Sequence, residues 1–273
     1  MELTPEASTD GARRLLREGE VSLLGRIPWS SNATHLALLA NPRVQAGNHA
    51  DPLSHTDPRN VAEPRSHAGP RAGSGEMLAV YKPIRGERPL WDFPTGTLAA
   101  REAAAFEISE ALGWCIVPDT VVRDGPLGVG MVQRFVEHDP AEHYFTLLGD
   151  HSDRLLRFAV FDVVVNNADR KGGHVLLGLD GALWGIDHGV TFHPHWKLRT
   201  VIWDFASCPI GTAVEADLRA LLGRLDDDLA RRLAALLTAE EIGAIRQRVE
   251  HLLAAGVLPD ADPGHHSYPW PLV

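Results

Sequence analysis

Residues 161–189, FDVVVNNADRKGGHVLLGLDGALWGIDHG, gather two carboxylates and a histidine around one tight turn. A Val-rich run ends at Asn167, and two short apolar runs, His174 to Leu179 and Ala182 to Asp187, flank the pair Asp180-Gly181. Asp-Gly between apolar runs predicts a hairpin, because both turn residues must tolerate positive φ. A two-residue loop pairs Leu179 with Ala182, and counting outward sets His174 opposite Asp187. Directly opposed residues have Cβ atoms about 4.5–5.5 Å apart. Asp169 lies a few residues upstream on the same side, so the open end of the hairpin is a candidate metal site.

The chain around this stretch has 273 residues, enough for one large domain or two lobes, and we expect two. Its composition, 44% hydrophobic and 23% charged, is that of an ordinary globular protein. A net charge of −10 argues against a dedicated nucleic-acid binder and against docking on anionic lipid, though not against a nucleotide in a local basic pocket. With Cys115 and Cys208 as the sole cysteines, neither a disulfide framework nor a cysteine-rich zinc module is available. A reducing compartment fits that usage. No apolar run reaches the roughly 18 residues of a membrane span, and the start MELTPEASTD lacks signal-peptide features. These observations predict a cytoplasmic protein without stable membrane insertion.

Upstream of the central stretch, Pro5 to Glu18 carries a weak helical pattern and Val21 to Leu24 reads as a short strand. Ser30, Ser31 and Asn32 then sit between apolar runs, where small polar residues can present N–H and hydroxyl groups to an anion. A plain exposed connection is the alternative. From Asn41 to about residue 75 the sequence is rich in Pro, Gly, His, Asn and Arg and has no period, which predicts a mobile insertion. In MLAVYKP (77–83), alternation places Lys82 on one face with Leu78 and Val80, pointing inward. An inward ammonium needs an anionic partner. The following helix offers one: Leu98, Ala105 and Leu112 mark its buried stripe, and Glu102 falls on that stripe.

A hairpin is expected next, from residues 117–124 and 129–136 around Gly125-Pro126-Leu127-Gly128, and the polar break at 137–140 is the candidate lobe boundary. Leu155 to Val165 is apolar nearly all round, predicting a buried helix that feeds Asp169. Amphipathic helices follow at 213–222 and 227–237, and Thr238-Ala239-Glu240-Glu241 fits a capping box.

Lys82, Glu102, Asp169-x-x-x-x-His174 and Asp187-His188-Gly189 occur in the order of the protein-kinase-like fold. FAVFDVVVNNADRKGGHVLL (158–177) resembles the catalytic segment of the phosphatidylinositol 3-/4-kinase superfamily, nearest to type II phosphatidylinositol 4-kinases. GIDHGVTF (185–192) is similar to that family's metal-binding segment and VYKP (80–83) to its ATP-lysine strand. An actinobacterial kinase-like branch also resembles this chain. The resemblance implies an α+β fold of two lobes, a small antiparallel-sheet N-lobe over 1–137 and a mainly helical C-lobe over 138–273. It implies ATP, with Mg²⁺ or Mn²⁺, and a hydroxyl-bearing acceptor. Asp169, with Arg170 and Lys82, would form the catalytic set, Asp169 taking the acceptor proton. Asp187 and His174 would hold the metal. Lys82 would bind phosphates, ordered by Glu102, and Ser30, Ser31 and Asn32 would cover them. Gln133, Arg134, Phe135 and Val136 would form the hinge that receives adenine.

The chain departs from that family at His174, where asparagine is usual, since hard cations prefer oxygen ligands. The cysteine-rich insertion of type II phosphatidylinositol 4-kinases is also absent, so a protein or small-metabolite hydroxyl is favoured over an inositol lipid. Two other functions compete with a phosphotransferase. One is a nucleotide-binding pseudokinase or scaffold. The other is a metal-dependent hydrolase built on Asp169, His174, Asp187, His188, His193 and His195.

Overall fold

The computed structural model describes residues 5–28, 32–41, 75–262, 264 and 266–273. Nearly all of the predicted insertion, together with Ser30 and Ser31, lies outside the described residues. The chain begins with helix α1 (Pro5–Glu18), followed by strands β1 (Glu20–Arg26), β2 (His35–Ala40) and β3 (Glu76–Pro83). Helix α2 (Leu98–Ala111) precedes the hairpin β4 (Thr120–Gly125) and β5 (Gly128–Arg134). These strands form one antiparallel sheet in the order β1-β2-β3-β5-β4. The expected β4–β5 hairpin is present, and its loop is the two residues Pro126 and Leu127, since Gly125 pairs with Gly128.

Period-two alternation divides β3 between two environments. Ala79 and Tyr81 join Leu16, Ala37, Leu39 and Val132 in a small core under α1, while Val80 and Lys82 turn to the opposite face. Tyr81 donates its hydroxyl to the Gly128 carbonyl and accepts from Leu127 N–H, which ties the β4–β5 turn to the sheet. Helix α2 contributes small buried side chains, Ala104, Ala105 and Ala111, to the main core. Gly113 ends it with φ +69°, a left-handed conformation that costs glycine nothing.

The remainder is mostly helical. Helix α3 (Tyr144–Leu147) leads to α4 (Ser152–Val165), which runs through the main core with Phe158, Phe161 and Val164 enclosed. The short hairpin β6 (Val175–Leu177) and β7 (Leu183–Gly185) follows, then α5 (Thr212–Arg224), α6 (Asp228–Ala234) and α7 (Ala239–Ala255). The capping box at α7 is formed: Glu241 N–H donates to Thr238 Oγ1, and Glu241 Oε2 accepts from Thr238 N–H at 2.8 Å. The architecture is therefore the α+β, two-lobed arrangement expected, with a small antiparallel sheet and a helical second half.

Arg101 on α2 ties the two halves together. It is 2% exposed, donates to Thr191 O at 2.6 Å, and pairs with Glu241 at the start of α7. Removing one partner of a buried pair strands the other charge, typically at about 3–5 kcal/mol. Arg101→Leu should therefore lower stability by about 3 kcal/mol in urea titrations, and adding Glu241→Leu should recover part of that loss.

Candidate active site

Strand β3 delivers Lys82 to the cleft between the lobes. Its Nζ donates to Glu102 Oε1 at 2.7 Å and to Asp187 Oδ1 at 2.6 Å, so one ammonium joins the sheet, α2 and the segment after β7. Glu102, 2% exposed, also accepts from His188 N–H at 2.8 Å through Oε2. Burial opposes the Lys82 charge, but the carboxylates of Asp187 and Glu102 outweigh it and raise the lysine pKa. Lys82 in turn holds the Asp187 carboxyl well below its ordinary value. Burial pushes Glu102 up against the pull of Lys82.

The hairpin differs from its predicted register by one residue. Val175 pairs with Gly185, Leu176 with Trp184 and Leu177 with Leu183. The loop contains three residues, Leu179 to Gly181, closed by Gly178 N–H to Ala182 O at 2.8 Å, with Gly181 at φ +75°. Asp180 accepts from Ala182 N–H, and an αL glycine at this position is the usual solution for a three-residue loop. His174 consequently neighbours Ile186, whose N–H donates to the His174 carbonyl. The two side chains still meet: His174 ends a 3₁₀ turn over 172–174, Asp187 leaves the strand at φ +63°, and Nε2 lies 3.3 Å from Oδ2.

Burial lowers the His174 pKa to about 4 despite Asp187, so the imidazole is neutral near pH 7. Lys171 N–H approaches His174 Nδ1 at 3.4 Å, and Nε2 faces Asp187. Asp169 lines the same cavity as Lys82, Glu102 and Asp187, a space of about 310 Å³. Its carboxyl is raised by burial, opposed by Lys171, whose Nζ lies 3.1 Å away. The donor set fits one divalent cation at the partly exposed Asp187 carboxylate.

Arg170 is placed differently from its neighbour. It is fully buried, with Nε and Nη2 on Asp162, Nη1 on the carbonyls of His174 and Ile186, and Nη2 also 2.6 Å from His188 Nε2. It has no exposed surface to offer a substrate, and it fixes the segment around Asp169 to α4 and to both sides of the hairpin. Sequence reasoning missed Asp162, although a lone acid in the apolar stretch 155–165 was the available signal. Thr200 Oγ1 completes the arrangement on Asp162 at 3.1 Å.

A second cavity of about 220 Å³ shares Asn32, Lys82 and Asp187 with the first and is lined by Gln133, Arg134, Phe135 and Val136. Several groups of residues 133–136 are already engaged: Gln133 Nε2 donates to Thr120 Oγ1, Phe135 N–H to Leu78 O, and Val136 O contacts His138 Nδ1. Asn32 lines both cavities and accepts from Arg88 N–H. The wider His/Asp cluster is dispersed. His188 is enclosed beside Arg170 and Phe161, and the His193 and His195 carbonyls receive the Asn166 amide. Among the described residues no three His, Cys, Asp or Glu side chains are grouped to hold a metal ion.

Comparison with known proteins adds a relative and a fold. Over 297 aligned positions the chain is 39% identical to Protein Rv2133c of Mycobacterium tuberculosis, covering 96% of this chain and 95% of that protein. The chain belongs to the Rv2133c family. No protein-family model matches it. The crystal structure of the Golgi casein kinase with Mn/ADP bound superposes with a TM-score of 0.51 and 11% identity, covering 99% of this chain and 81% of that one. The Helicobacter pylori proinflammatory kinase CtkA gives 0.49 and 10%, covering 89% and 94%. The first likeness shows a protein-kinase-like fold. No helix among the described residues is long and apolar enough to cross a membrane.

Because His174 is held neutral, with a pKa of about 4 against 6.5 when exposed, it stabilises the fold above pH 6.5 and loses that contribution as pH falls through 4. In metal-free protein, His174→Asn should flatten the acid limb of the stability profile by roughly 3 kcal/mol between pH 6.5 and 4. Urea midpoints of both proteins across that range measure it.

Proposed function

We propose that the chain is an ATP- and divalent-metal-dependent phosphotransferase acting on a hydroxyl acceptor, a protein or small metabolite rather than an inositol lipid. The observation that carries this reading is the bridging of Glu102 and Asp187 by Lys82, with Asp169 lining the same cavity. The motifs resembling the phosphatidylinositol 3-/4-kinase superfamily support it, as does the kinase-like fold. The division of labour follows the proposed lobes: 1–137 would bind nucleotide, and 138–273 would supply the catalytic loop and metal-binding hairpin.

In this reading Lys82 neutralises phosphate charge, and Asn32 with the neighbouring Ser30 and Ser31 covers the phosphates. The cavity beside Gln133 to Val136 receives adenine. Asp187 would hold Mg²⁺ or Mn²⁺, which when bound neutralises charge on the β- and γ-phosphates. His174 orients Asp187 by donating from Nε2, as partners of a ligating carboxylate commonly do. Asp169, its carboxyl raised by burial, takes the acceptor proton as the acceptor oxygen bonds to the γ-phosphorus. The bond from that phosphorus to the β–γ bridging oxygen breaks, and ADP leaves. Positioning and electrostatics carry such a reaction, with no covalent enzyme intermediate required.

Asp169→Asn should reduce γ-phosphoryl transfer by about 10²–10⁴-fold while leaving nucleotide affinity unchanged, because general-base catalysis contributes on that scale. Radiolabelled ATP turnover and nucleotide titration measure the two quantities. Nucleotide binding without transfer by the unmodified protein to any acceptor, itself included, would instead identify a pseudokinase. His174→Asn should lower Mg²⁺- and Mn²⁺-supported rates alike. A change in metal preference would make the histidine a direct ligand.

A further inference from the structure

A cleft of about 420 Å³ in the helical half shares no lining residue with the two nucleotide cavities. Its walls are largely apolar and include Val163 of α4, Trp196, Leu252 of α7, Val257 and Leu258. Arg248 of α7 also lines it, and is only 8% exposed. Its Nε donates to Val164 O at 2.9 Å, a carbonyl in the last turn of α4 where the helix end is partially negative. Nη1 reaches His193 O at a long 3.4 Å, and Nη2 is buried with no hydrogen-bond partner. No carboxylate among the described residues pairs with this guanidinium, and burial alone depresses its pKa, to about 10. The helix-end carbonyl accounts for Nε and leaves Nη2 unexplained. A buried cation without a counter-ion is costly and calls for an anion.

We propose that this cleft binds a small amphipathic monocarboxylate, its carboxylate on Arg248 and its apolar body along Leu252, Val257, Leu258 and Trp196. One buried positive charge is balanced by a monoanion, and the cleft's polar lining besides Arg248 is confined to Gln247 and His251 of α7. The half-enclosed volume falls within the roughly 300–1,000 Å³ of small-ligand pockets. Because Nη2 is shielded from water, engagement requires the lining to give way. The site is independent of the phosphotransferase reading and stands whether or not that activity is found.

Calorimetric titration of the full chain with decanoate, decanol and decylamine, matched in chain length, separates charge from apolar burial. Decanoate should bind saturably and at least about tenfold more tightly than either control, the scale of one hydrogen bond to a charged group. Arg248→Met should abolish that preference. Val257→Trp, which leaves Arg248 intact and fills the cleft, should block decanoate and decides the matter if Arg248→Met does not fold. No saturable decanoate binding, equal affinity for the three probes, or decanoate binding unchanged in Val257→Trp would overturn the proposal.

Discussion

An ammonium held between two carboxylates is the contact on which the cleft depends. Lys82 reaches Glu102 and Asp187 from a third element, so the sheet, α2 and the segment after β7 take their relative positions from one nitrogen. The enclosed charges of Lys82 and Glu102 would be costly to bury alone, and with Asp187 they offset one another. Because Glu102 also receives the His188 N–H, the backbone just beyond Asp187 is fixed to α2 as well. The interaction is therefore both an electrostatic balance and a geometrical constraint.

Arg170 plays the corresponding part below the cleft. A guanidinium presents five donors in a rigid fork, and here they are distributed over Asp162, the two hairpin carbonyls and His188. Asp169 thus projects from a loop whose next residue is anchored on several sides. Its freedom to move is small, which is what the proton transfer proposed for it would require. Above the cleft a compact ammonium holds two acids that would otherwise repel one another, and below it a planar guanidinium gathers one acid, two carbonyls and an imidazole.

Much of this was legible in the sequence because it rests on local periodicity. The alternation in β3 gave the face of Lys82, and the stripe on α2 gave that of Glu102, although their 2.7 Å meeting is a tertiary fact. The Asp-Gly signal located the hairpin correctly and its register wrongly, because Asp180 and Gly181 serve a three-residue loop as readily as a two-residue one. A one-residue slip ordinarily reverses which face a side chain occupies. His174 and Asp187 nevertheless meet because both lie just beyond the paired strands, at a 3₁₀ turn and a left-handed residue. Arg170 could not be distinguished from a catalytic side chain, since nothing in a linear motif states burial. The pairing of Arg101 with Glu241 spans 140 positions and left no periodic trace.

Lys82 also gives Asp187 a tethered counter-ion of its own. Any cation approaching that carboxylate competes with an ammonium whose local concentration is set by the fold rather than by the solution. A sodium or potassium ion brings no more charge than the group it would displace, and it must in addition surrender part of its hydration shell. A divalent ion brings twice the charge and can leave Lys82 free to turn toward another anion. In the proposed reading the fold would discriminate by valence before coordination geometry enters, and that selectivity would belong to strand β3 as much as to the carboxylate itself.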